Sequence, residues 1–140
     1  MTTNPTNAWN VPDDVLAAAL RAQAAGYLTS EAAVELLIEQ RWWLDHRGFV
    51  SGYIDYQDDP DIVGDTGPLA RVRWAEAIKA LDSSEFLRSS DSAELVLRIA
   101  ASLGGGVPVD LRENATNSLG HAHAQWVVDA IRHATGGDDR

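Results

Sequence analysis

At 140 residues the chain is long enough for one domain with a sizeable core, so no metal or disulfide is needed to hold it together. It has no cysteine, which excludes disulfides, thiolate zinc sites, iron–sulfur clusters and cysteine nucleophiles together. Its 21 acids against 11 bases give a formal net charge of −10, and the short basic stretches, Arg71-Val72-Arg73 and Arg41 with Arg47, do not form the clustered cationic surface that a phosphate backbone requires, so direct nucleic-acid binding is not expected.

Residues 1–10 read as a flexible N-terminal arm. Met1 to Asn7 carries neither a basic n-region nor an apolar h-region, and no apolar run approaches the roughly 18 residues of a membrane span, so a cytoplasmic protein without membrane contact is expected. The sequon Asn114-Ala115-Thr116 has meaning only in a secreted protein.

From Pro12 to about Ala25 the spacing of Val15, Leu16, Ala19 and Leu20 predicts a first helix, with Asp13 and Asp14 in its first turn and Gly26 as its stop. A second helix is expected from a Thr29 N-cap to about His46. Ala33, Val34, Leu37, Ile38 and Leu44 make its apolar side, and Glu31, Glu35 and Glu39 stack at i, i+4, i+8 on the other. Trp42 and Trp43 close this helix. Neighbours on a helix lie about 100° apart, so both cannot face one core; Trp43 falls at the core edge and Trp42 among the glutamates.

Phe49, Val50, Tyr53 and Ile54 recur at i, i+1, i+4, i+5, which favours a short helix, and Tyr56 to Gly67 reads as an aspartate-, glycine- and proline-rich loop. Pro68 opens a third helix with Ala70, Trp74, Ala77, Ile78 and Leu81 inward. Ser89-Ser90-Asp91-Ser92 caps a fourth, whose face is Leu95, Val96, Ile99, Ala100 and Leu103 and which ends at Gly104-Gly105-Gly106. Asp110-Leu111-Arg112-Glu113 opens a short fifth helix. A last one, from about His121 to Ala134, turns Trp126, Val127, Ala130 and Ile131 inward, with Gly136-Gly137 as its stop. The expectation is an all-α single-domain bundle of five or six helices over residues 11–135, followed by a disordered tail at 136–140.

Three stretches, Glu31 to Leu44, Leu95 to Gly104 running on through Val107 to Arg112, and Val127 to Ala134, together resemble a group of small, uncharacterised actinobacterial proteins. That resemblance implies an all-helical fold and carries over no assignment of catalytic residues.

Motifs for chemistry are sparse. Aligning Asp59, Asp61, Val63, Gly64 and Asp65 with an EF-hand loop puts Val63 and Ala70 where oxygen ligands are needed, so the Asp55 to Asp65 stretch reads as solvated turns. His121 and His123, at i and i+2, point too far apart on a helix to share an ion, and His123 falls on the apolar face. Asp129 and His133 are spaced for a surface pair, with no third metal ligand nominated. There is no Gly-x-Ser-x-Gly elbow and no phosphate-binding glycine loop, so no catalytic residue, metal or cofactor is expected.

The remaining signal is five tryptophans without an assembled site. Trp42 rimmed by Glu35 and Glu39, joined by Trp9 from the arm, reads as an interface anchor of a non-catalytic, self-associating or partner-binding module. An acidic inhibitor that imitates nucleic acid, and a small metal-dependent enzyme using His123, Asp129 and His133, are the alternatives.

Overall fold

Asn7 opens the computed structural model, which describes residues 7–86, 90–110 and 121–136, the last stretch with side chains from 124 onward. The Asn7 carboxamide accepts the Trp9 backbone N–H at 2.9 Å and caps a 3-10 turn, Ala8–Asn10. Ala8 and Val11 are buried, and Asn7 bridges to Asp55, so the described end of the expected arm lies against the body of the protein.

Helix α1, Asp13–Ala24, forms where the sequence puts it, with Leu16, Ala19, Leu20 and Ala24 buried. Gly26, at φ +92°, turns the chain into α2, Leu28–Gln40. The expected Thr29 cap does not form. Tyr27 occupies the N-cap without a side-chain bond, and the Glu31 carboxylate reaches back to the Gly26 N–H at 3.0 Å.

Helix α2 also ends at Gln40, well short of His46. Arg41 takes a left-handed conformation, φ +63°, and Trp42 to Asp45 form turns. The geometric conflict between adjacent tryptophans is real, but unwinding the helix resolves it instead of exposing one ring. Off the helix, both reach the core. Trp43 is fully buried and donates its indole N–H to the Ala93 carbonyl at 2.7 Å, while Trp42 is half-buried, edge-on to Trp43 with centroids 4.7 Å apart. Phe49, Phe86 and His46 complete the aromatic cluster around Trp43. Such ring pairs add about 0.5–1.5 kcal/mol each beyond the area they bury.

The short helix at Phe49 is present as α3, Arg47–Tyr53, capped by His46, whose Nδ1 accepts the Phe49 N–H. The all-α expectation needs correction after it. Ile54–Gln57 (β1) and Leu69–Val72 (β2) pair antiparallel, with Asp55 opposite Arg71 and Tyr56 opposite Ala70. Ile54, Tyr56, Ala70 and Val72 point inward and are buried, and Asp55 and Arg71 point out, the alternation of a half-buried strand pair. Two strands alone are marginal; packing of α1 against β2 supports this pair.

Between the strands, Asp59 accepts the Asp61 N–H and caps a one-turn helix, α4, Pro60–Val63, followed by a 3-10 turn, Gly64–Thr66. Because Leu69–Val72 is a strand, the helix expected from Pro68 begins only at Trp74, as α5, Trp74–Asp82. Ser90 caps α6, Asp91–Gly105, by accepting the Ala93 N–H, and Gly106 at φ +68° ends it. The expected helix at Asp110 lies outside the described residues. Helix α7, His121–Ala134, closes the described fold.

The chain is therefore predominantly helical with a two-stranded sheet, and has seven helices among the described residues where five or six were expected. One contiguous apolar cluster runs from Ala8 to Ala130, with α2 packed centrally between α6 and α7. No described helix is long and apolar enough to cross a membrane.

Candidate functional site

Helices α2 and α7 run antiparallel, since Glu31 meets His133 while the start of α2 at Leu28 lies beside Gly136. Between them lies a groove of about 460 Å³. Buried Ala32, Leu36 and Ala130 form its floor, with half-buried Trp126 beside them. Glu35 and Glu39 rise from α2 and Asp129 from α7, with Arg132 and His133 at the same rim.

Two glutamates of the stripe find partners on neighbouring helices. Glu35 takes both its oxygens to Arg21 of α1, at 2.7 and 3.0 Å, and this bond holds the Arg21 guanidinium above its ordinary pKa. Glu31 meets His133 Nε2 at 2.8 Å. That contact first, and the Gly26 N–H second, holds the Glu31 carboxyl below the usual carboxylate range. Among the described residues, Glu39 alone of the three makes no salt bridge.

The four residues expected to form an interface are not brought together. Glu35 and Glu39 line the groove with Trp126, whereas Trp42 sits in the turn after α2, packed on Trp43 and His46. Trp9 is 37 % exposed on the N-terminal turn, which packs beside α3, and its ring meets no other described ring. Sequence reasoning assigned Trp126 wholly to the core, along with Ile131. Trp126 is only half-buried and Ile131 is exposed, as is Val128. The signal that could have found Trp126 is its place one turn before Asp129, the same aromatic-among-acids pattern sought at Trp42.

Asp129 accepts a hydrogen bond from Gln125 at 2.9 Å, and the hydrogen bond of His133 runs to Glu31 on α2. The side chain of His123 lies outside the described residues. Among the described residues, no three His, Asp or Glu side chains are placed to hold a metal. Elsewhere, burial first, and then a hydrogen bond donated to Glu85, raises the Tyr53 phenol above its ordinary value; burial does the same for Tyr56. No family model, curated protein or solved structure matches the chain.

Proposed function

We propose that this chain is a non-catalytic, acidic helical interaction module whose contact surface is the α2–α7 groove and whose partner is a cationic segment of another protein. The observation that carries the reading is Trp126, half-buried in an open groove with Glu39 and Asp129 at its mouth. Tryptophan combines a large apolar area with a hydrogen-bond donor and dominates many binding hot spots, and a rim of carboxylates selects for lysine and arginine. Self-association would bring together two chains of net charge −10 each, so a basic partner is favoured over a second copy. A nucleic-acid mimic needs an unbroken row of charge, and the pairing of Glu31 and Glu35 interrupts it.

Selection of a displayed peptide library on the immobilised chain tests this. Enriched peptides should be rich in Lys and Arg, lose roughly 30-fold or more in affinity on Trp126→Ala, and weaken with added salt. The surface pair Glu39→Gln with Asp129→Asn should weaken binding without changing the thermal midpoint. Enrichment of neutral or acidic peptides, or binding indifferent to both variants, would overturn the proposal.

A further inference from the structure

A second cavity, of about 340 Å³, lies between α1, α2, β2 and the last turn of α6. Its body is apolar, with buried Leu20, Val34 and Val72 in its lining together with the half-buried indole of Trp74. A β-carbon on Gly104 would lie 2.7 Å from Trp74 Nε1, and one on Gly105 2.7 Å from Trp74 Cβ, so only bare backbone lets the indole lie against α6. Of the glycine triplet, Gly106 ends the helix while the other two seat this ring. The indole thus forms a planar wall of the cavity.

Among the lining residues Arg71 is the one charged side chain. It lies 3.9 Å from Asp55, and Arg73 lies 3.4 Å from the same carboxylate. Asp55 is thus shared between two guanidinium groups, and Arg71 is the cationic group at the cavity rim. Ser30 and Gln23 add hydrogen-bonding groups to the same lining.

We infer that this cavity is a small-molecule site for a planar apolar carboxylate, its ring beside Trp74 among Leu20 and Val34 and its carboxylate at Arg71. The volume falls in the range of ligand pockets, about 300–1,000 Å³, and an apolar body with few convergent polar groups is their usual make-up. The inference does not depend on the α2–α7 groove, since none of its residues lines that groove.

Titration with 2-naphthoate, followed by calorimetry and by tryptophan fluorescence, tests it. One saturable site is expected, with affinity reduced about tenfold or more by Arg71→Gln and partly retained in Arg71→Lys, the scale of one charge-assisted hydrogen bond. The neutral amide of the same ring should bind wild type weakly and be indifferent to Arg71→Gln. Because Arg71 is exposed, the thermal midpoint of the variant serves as the folding control. Absence of saturable binding, an unchanged affinity in Arg71→Gln, or equal binding of acid and amide would overturn the inference.

Discussion

Replacing Gly104 by alanine sets two effects of opposite sign against each other within α6. Alanine is the better helix former by about 1 kcal/mol, so at an unobstructed helical position the change stabilises. At Gly104 the new methyl would sit 2.7 Å from Trp74 Nε1, 2.8 Å from Trp74 Cε2 and 2.9 Å from the Ala33 β-carbon. The indole has some room to shift because it is half-buried, but Ala33 is fully buried on α2 and rigid with it. Overpacking of this kind costs about 1–3 kcal/mol, which exceeds the propensity gain. Net destabilisation of about 1 kcal/mol is expected, a fall of about 4 °C in thermal midpoint for a chain of this size. Gly52 in α3, where an added β-carbon meets nothing within 4 Å, is the control, and Gly52→Ala should stabilise by about 0.5–1 kcal/mol. Urea unfolding followed by circular dichroism compares the two. If Gly104→Ala stabilises as Gly52→Ala does, the reasoning about the seat of Trp74 is refuted.

Trp43→Ala removes a fully buried ring and its bond to Ala93, and should lower unfolding free energy by about 3–5 kcal/mol; a urea-derived loss under about 1.5 would show that the aromatic cluster is not central. Arg41→Gly relieves a left-handed conformation costing about 1–2 kcal/mol and loses only exposed pairs to Asp13 and Asp45, so a midpoint at or above wild type is expected, whereas Arg41→Val should fall well below it. Glu31 has a folded pKa held below 4.5, so its contribution is present above its unfolded pKa and is lost as pH falls through the folded one. The urea midpoints of wild type and Glu31→Gln should therefore converge as pH drops below about 4.5, and a gap constant from pH 7 to pH 3 would contradict that sign.

Much of the fold is legible where one-sided helices carry their own punctuation. Helix α1 follows from the spacing of Leu16, Ala19 and Leu20 between Pro12 and Gly26, and α6 from the Ser90 cap and the closing glycine. The sheet is not legible, because each strand is four residues long and shows barely two repeats of alternation, while Ile54 and Ala70 also fit neighbouring helical patterns. Strand pairing is a contact between segments separated in sequence, and local periodicity does not contain it. The candidate groove was legible only in part. Glu35 and Glu39 were identified on α2, but their aromatic neighbour comes from α7, far along the chain.

By itself the sequence determined the acidic charge, the absence of thiol chemistry, the main helices and the fact that two adjacent tryptophans cannot share one face of a helix. Tertiary structure decided how that conflict is resolved. The Trp43 indole N–H, once buried, requires an acceptor, and with α2 ended at Gln40 the Ala93 carbonyl on α6 supplies it. Trp43 is fully buried and Trp42 half-buried against it, and the left-handed Arg41 ends the helix before them. Where Glu31 and Glu35 find their partners was decided in the same way, by helices α7 and α1, which no pattern within α2 reveals.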